Sequence, residues 1–385
     1  MKKGYQLLGK FIRQVDIRNT EGKEENLLGV SVQKQFIPSI ANTVGTDFTK
    51  YKVVRKGQFT YIPDTSRRGD KIGIALLEDY DEGLVSNVYT VFEVIDENQL
   101  MPEYLMLWFR RPEFDRYARF KSHGSVREVM DWDEMCKVEL PVPSLEKQRR
   151  IVKSYKAITD RIALKKQIND NLVETLSAIY KELFADAETR FPKMSLQKIC
   201  TKIGSGATPK GGKTAYISEG ISLIRSTNVL DFNFQYSELA HINQSQADAL
   251  PNVIVEPNDV LFNITGVSVT RCCMVPADVL PARVNQHVMI IRPIWGETMS
   301  YYIMFTLCSA DNKAKLLGIG QSGSTREAIN KQELESFEIP IPDENTLNQF
   351  GSTAKRLYGN IHTNAEEIRA LEKTKKVLLA QLSRR

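Results

Sequence analysis

The sequence predicts an α+β protein made of two globular segments, each followed by a long helix, related to one another as an internal repeat. Three observations carry this. A stretch of 20 residues recurs 199 positions further on. A proline-free heptad pattern follows each copy. Short β-type runs bounded by Gly, Asn, Asp and Pro precede each copy.

The repeated stretch reads GSVREVMDWDEMCKVELPVP at 124–143 and GSTREAINKQELESFEIPIP at 323–342. Gly124, Ser125, Arg127, Glu128, Glu134, Glu139, Pro141 and Pro143 match their partners identically, without a gap. Leu140 and Val142 become Ile339 and Ile341.

In the first segment, strands are expected at 51–55, 71–77 and 84–94, and a helix at 103–110. In the second, strands are expected at 221–225, 260–264 and 288–292, and a helix at 299–308. The early parts of the two segments diverge while their ends match, as two readers of different targets on one frame would.

The helices follow. One seam is Ile151, Tyr155, Ile158, Ile162, Lys165, Asn169, Leu172, Leu176, Ile179 and Leu183. The other is Phe350, Ala354, Leu357, Ile361, Asn364, Ile368, Leu371, Lys375, Leu378 and Leu382. Spacings alternate between four and three, which keeps an apolar stripe on one face of a coiled coil. Each seam extends for roughly 50 Å at 1.5 Å per residue. Such a stripe packs either on its own globular segment or on the other helix. Antiparallel pairing of the two helices relates the repeats by a pseudo-twofold axis, and the polar seam positions then fix register. The expected division is 1–145 globular, 146–189 helix, 190–343 globular and 344–385 helix, with Phe191-Pro192 closing the first helix.

Composition narrows the function. With 52 basic and 47 acidic side chains, the net charge of +5 permits nucleic-acid binding without requiring it. No run approaches a membrane span or a signal peptide. The five cysteines form no C-x-x-C pair, which fits reduced thiols in a cytoplasm and argues against structural zinc. The four histidines have no metal spacing, and no Asn/Asp-Pro-Pro-aromatic motif of an adenine methyltransferase is present. ATPKGGKT at 207–214 satisfies a relaxed Walker A pattern, but its flanks do not read as a buried strand and a helix. GIGQSG at 318–323 reads either as a plain turn or as a loop that approaches phosphate.

The whole chain resembles the specificity subunits of type I restriction–modification enzymes. The resemblance rests on the order of the segments and on the strings LLGVSVQKQF (27–36), PVPSLEKQRRIV (141–152), GSGATP (204–209), IRSTN (224–228), NITG (263–266), NQHV (285–288) and GSTREAI (323–329). The second helix start, PIPDENTLNQF at 340–350, lacks the family's Glu-x-Gln-x-x-Ile spelling. The resemblance implies two target-recognition domains that each read half of a split double-stranded DNA site, and an antiparallel coiled coil that sets the gap. It implies two modification subunits carrying S-adenosylmethionine, and restriction subunits using ATP and Mg. No catalytic residue is expected on this chain. The competing readings are a P-loop ATPase with a coiled-coil arm, dependent on Lys213, and a structural adaptor without DNA affinity.

Candidate DNA contacts are chosen for phosphate and base-edge chemistry. In the first segment they are Lys34, Arg67, Arg68, Lys121, Ser122, Ser125 and Arg127. In the second they are Ser205, Thr208, Lys210, Lys213, Arg225, Asn228, Asn263, Thr265, Gln321, Ser324 and Arg326. Asn228, Asn263 and Asn285 read equally as buried turn formers that bond their own backbone.

Overall fold

The computed structural model describes residues 4–40, 45–66, 71–123, 128–209, 211–321 and 328–383. It divides into two compact units, Met1–Leu164 with Ile368–Arg385, and Lys165–Glu367. The dividing points fall inside the two long helices, Leu145–Leu183 and Glu344–Gln381.

In the first unit, strand Tyr5–Leu7 pairs antiparallel with Glu139–Pro141. A four-stranded antiparallel sheet follows in the order Ile12–Val15, Thr90–Val94, Phe59–Tyr61, Ile74–Leu76. Phe59 stacks on Phe92 with centroids 4.8 Å apart. Phe59–Tyr61 is buried at every residue, as a strand covered on both faces must be. Helix Pro102–Phe109 opens on a proline, whose missing N–H costs nothing at that position, and buries all of its residues except Glu103. Helices Pro112–Lys121 and Trp132–Cys136 complete the series; Asp131 caps the latter through the Glu134 amide at 2.8 Å.

The second unit repeats this order. Lys193–Ser195 pairs with Glu338–Pro340. Its four-stranded sheet runs Cys200–Ser205, Val288–Pro293, Val260–Asn263, Cys272–Met274. Helices Gly296–Cys308, Ala310–Gln321 and Lys331–Ser336 follow, the last opened by an Asn330/Glu333 capping box. One hydrogen bond marks the equivalence: the Tyr104 hydroxyl donates to the Pro141 carbonyl at 3.1 Å, and the Tyr302 hydroxyl to Pro340 at 2.7 Å. The units differ in their remaining strands. The first has two separate ladders, Leu28–Val30 with Phe36–Pro38 and Lys52–Arg55 with Glu82–Val85. The second has a mixed four-stranded sheet, Ala240–Ile242, Ile221–Ile224, Ala282–Val284, Ile254–Val255.

The long helices pair antiparallel. In the second unit Lys165 meets Asn364 and Glu367, Asn169 meets Asn364 and Ile361, and Tyr180 meets Phe350. In the first, Ile151 and Tyr155 share a core with Leu378, Leu379 and Leu382. Every seam position of the heptad reading is buried or half-buried.

The helix starts differ as the spelling suggests. Gln148, fully buried, donates to the Gln99 and Pro143 carbonyls at 2.8 Å each and accepts from the Met101 amide at 2.9 Å. Its repeat partner Leu347 packs into the apolar core of the second unit. There Asp343 caps the helix through the Thr346 amide at 2.9 Å.

Three expectations are corrected. The run 84–94 is two strands, because a turn from Ser86 to Tyr89 interrupts it. Helices Pro112–Lys121 and Ala310–Gln321 were not expected, since few of their residues are apolar and buried. Gly318 to Gln321 are therefore the last turn of a helix rather than a loop. The first long helix stops at Leu183, and a short turn, Ala187–Arg190, occupies the rest of the expected span.

Candidate nucleic-acid interface

In the second unit, strand Cys200–Ser205 runs out into Gly206, whose amide donates to the Asn285 carbonyl at 3.1 Å. A Cβ on Gly206 would lie 1.7 Å from the Val284 carbonyl oxygen, so only glycine permits this approach. It lays residues 206–208 beside 284–286.

A chain of polar side chains results. The Thr208 hydroxyl donates to Gln286 Oε1. Gln286 Nε2 lies 3.2 Å from His287 Nε2, and His287 Nδ1 lies 2.7 Å from Thr265 Oγ1. The amide nitrogen is a donor, so His287 Nε2 accepts and Nδ1–H donates onward to Thr265.

Thr265 leads into the turn Gly266–Ser268, in which Gly266 has φ +71° and Val267 is 100% exposed. The same segment is anchored to the frame by Ile264 accepting from the Ile329 amide at 2.9 Å and by a bridge from Thr265 to Ala328. Beneath it, Asn263 donates to Ser226 at 2.9 Å and to Val229 at 3.3 Å. The surface above carries hydroxyls, a carboxamide, an imidazole and an isolated branched methyl group. These are the groups that match base-edge donors and acceptors and the thymine methyl.

The first unit places Asp64, Thr65 and Ser66 at the equivalent point. Met130 donates to Pro63 at 3.0 Å as Ile329 does to Ile264, and Asp64 bridges Val129 as Thr265 bridges Ala328. Asp64 Oδ1 accepts from the Ser66 amide at 3.0 Å and from its hydroxyl at 2.6 Å. One frame thus presents chemically different tips.

Known proteins agree with this arrangement. The model of the type I restriction modification DNA specificity domain matches residues 11–174. The chain is 20% identical over 312 residues to the MjaIX specificity subunit of Methanocaldococcus jannaschii, covering 75% of this chain and 70% of that one. It is 27% identical over 137 residues to the HindI specificity subunit of Haemophilus influenzae, covering 35% and 29%. The crystal structure of a type I S subunit from M. genitalium shares the fold, with a TM-score of 0.58 at 12% identity over 98% of this chain and 95% of that one. Residues 11–174 thus match a type I restriction modification DNA specificity domain, and the fold of the chain is that of a type I S subunit.

At this surface, what matters is which side chains reach it. Ser205, Thr208 and Thr265 do; Thr208 and Thr265 are joined through Gln286 and His287, which sequence reasoning did not select. The string NQHV contained both, but nothing in it separates a surface reader from a strand start. Arg225 is half-buried over the Tyr216 ring at 5.6 Å and donates to the Glu238 carbonyl. Lys121 ends its helix 3.6 Å from Glu134, and Gln321 ends its own, exposed.

Four selected residues belong to the interior instead. Lys34 is 4% exposed, with Nζ 2.8 Å from Asp115 and hydrogen-bonded to the Phe109 carbonyl. Burial pulls its pKa down and Asp115 opposes that shift. Ser122 donates back to the Ala118 carbonyl at 2.7 Å. Asn228 is fully buried, accepting from the Arg225 amide at 3.0 Å and donating to Gln235 at 2.8 Å. Asn263, equally buried, holds the turn described above. For both asparagines the turn-forming alternative describes the geometry.

Arg67, Arg68, Ser125, Arg127, Lys210, Ser324 and Arg326 lie outside the described residues, as does the Lys213 side chain. The run 207–214 leads into a single 3-10 turn, Gly212–Ala215, where a P-loop needs a helix. Among the described residues no group of side chains is arranged to hold a metal, and no helix is long and apolar enough to cross a membrane.

Proposed function

We propose that each compact unit reads one half of a split double-stranded DNA target. The paired long helices set the unspecified gap. The chain carries two modification subunits, which bring S-adenosylmethionine, and restriction subunits, which bring ATP and Mg. One observation supports this most directly. Both units keep the same strand pair, four-stranded sheet and three helices, yet mount different tips at Asp64–Ser66 and Thr265–Val267. A constant frame with exchanged tips suits two readers of unlike sequences.

The test is adenine-methylation mapping in cells that express this chain with an active modification subunit, against cells lacking only this chain. The expected result is one split motif that disappears on deletion. Methylation that is unchanged by the deletion overturns the proposal.

A further inference from the structure

Two cysteines of the second unit meet at the base of its tip. Cys272 opens the strand Cys272–Met274, and Cys308 ends the helix Gly296–Cys308. The Cys308 thiol donates to the Cys272 carbonyl at 3.6 Å, and the two thiols are themselves hydrogen-bonded. Asp231 joins them from a third side. Its Oδ1 accepts from the Cys272 amide at 3.4 Å and from the Cys308 thiol at 3.6 Å, and its Oδ2 is paired with Lys313.

Strand geometry decides which of the two adjacent cysteines faces the helix. Successive side chains of a strand point to opposite faces. Cys272 shares a core with Met304, Phe305 and Leu307 of the helix, whereas Cys273 lies in the separate core of Val284 and Val288. Cys272 is wholly buried and Cys308 half-buried, so an oxidant in water reaches Cys308 first.

The position matters because Cys272 begins the return arm of the tip. Phe262 opposes Cys272 in the ladder. Beyond that pair the Asn263 amide donates to the Arg271 carbonyl at 2.8 Å, and the Thr270 amide donates to the Asn263 carbonyl at 2.9 Å. Thr265 and Val267 lie on the loop that these two arms hold. The first unit has no such pair. Tyr61 opposes Ile74 there as Phe262 opposes Cys272, and lining up Tyr104 with Tyr302 puts Arg110 in the place of Cys308.

We propose that Cys272 and Cys308 form a reversible disulfide in response to hydrogen peroxide, and that this bond switches off reading by the second unit alone. The Cys308 sulfur attacks one peroxide oxygen. The O–O bond breaks, and the other oxygen leaves as water with the thiol proton, giving a sulfenic acid. The Cys272 sulfur then displaces the sulfenic hydroxyl, which departs as water with the Cys272 proton. Two thiols are oxidised to one disulfide, and one peroxide is reduced to two waters. The new bond draws the sulfurs to about 2 Å. It pulls the strand at Cys272 onto the helix end and carries Arg271 and the tip with it. The disulfide itself is independent of how DNA is read; its effect on one half of a target rests on the function proposed above.

The experiment treats the full chain with hydrogen peroxide, removes the excess with catalase, blocks free thiols with N-ethylmaleimide and maps tryptic peptides by mass spectrometry. The expected product joins the peptide that begins at Cys272 to the one that holds Cys308, and dithiothreitol releases it. It survives Cys273→Ser and is lost in Cys308→Ser, a conservative change at a half-buried position. The treated chain is then mixed with untreated modification subunit, and adenine methylation of plasmid DNA is measured. A fall of about tenfold or more is expected, as for loss of base contacts in one half. Dithiothreitol should undo it, and Cys308→Ser should not show it. No cross-link, a link through Cys273, or Cys308 carried to sulfinic acid instead overturns the disulfide. A cross-link that leaves methylation as it was before treatment overturns the switch. Methylation absent even with the reduced chain overturns the DNA-reading proposal and the switch with it, while the cross-link is judged by its own mapping.

Discussion

Lys165 donates a hydrogen bond to Asn364 at 2.7 Å, and the two stand at the same position of the two repeats, 199 residues apart. The Lys165 ammonium also meets Glu367 at 3.0 Å. Asn364, 7% exposed, passes its own amide on to Asn169 Oδ1 at 2.8 Å. This is one polar layer in a seam that is otherwise apolar except at Lys375. Apolar layers tolerate a slide by one heptad; a layer of matched donors and acceptors does not. Asn364→Ala removes the donor to Asn169 Oδ1 and leaves Lys165 only Glu367, and is expected to cost about 1–3 kcal/mol. Replacing Lys165 and Asn364 together by Leu should recover that loss while freeing the register. Denaturation midpoints of the single and double variants decide it, and a harmless Asn364→Ala would show that the layer holds nothing.

Lys34 offers a sharp separation of structural from DNA-contacting lysines. Its partner Asp115 is itself mostly buried, with a 13% exposed side chain. Removing the cation leaves that carboxylate without its counter-charge, so Lys34→Ala should destabilise the first unit by about 3–5 kcal/mol. Lys34→Met fills the space and should be milder. Wherever the protein still folds, the methylated motif should be unaltered. A stable variant with a changed motif would return Lys34 to the DNA surface.

The frame was legible in the sequence because it is repeated. The heptads, the Pro-x-Pro lead-ins and the matched block at 124–143 are long, periodic signals that survive divergence. The helices Pro112–Lys121 and Ala310–Gln321 were not legible, because they bury only Phe114 and Ala118, and Asn312, Leu316 and Gly320. Too few apolar positions recur for a period to show. The site was read least well. Asn263 and Thr265 are two residues apart in one string, yet one is buried beneath the turn and the other leads to its tip. Lys34 adopts φ +64°, a left-handed conformation that turns it inward and that residue type alone does not signal.

The paired tyrosines give a prediction in pH. Burial pushes the Tyr104 hydroxyl up to about 12, and Tyr302 rises for the same reason. An unfolded tyrosine ionises near 10. The raised folded value means that the contribution to stability is full below about pH 10 and is lost as pH climbs towards about 12. Tyr104→Phe and Tyr302→Phe should each cost about 1 kcal/mol at neutral pH through the bonds to Pro141 and Pro340. Each should also flatten the alkaline fall in stability. Equilibrium unfolding between pH 8 and about 11 measures both; an unchanged alkaline slope in the double variant would sink the argument.

The tip of the second unit makes the functional prediction. Gln286 sits between Thr208 and His287, exposed, with no role in the core. Gln286→Ala should leave stability within about 0.5 kcal/mol, as surface substitutions do. A lost base contact is worth about 1–3 kcal/mol at one base pair. The methylated motif should therefore relax at a position in one half while the other half stays intact. Gly206→Ala acts differently, because its new methyl group collides with the Val284 carbonyl and displaces the whole segment. It should abolish recognition of that half and reduce total methylation. Relaxation confined to one half, caused by Gln286→Ala and not by a matched substitution at Ser66, would assign that half to the second unit. Relaxation in both halves would mean that the two tips do not read separate sequences.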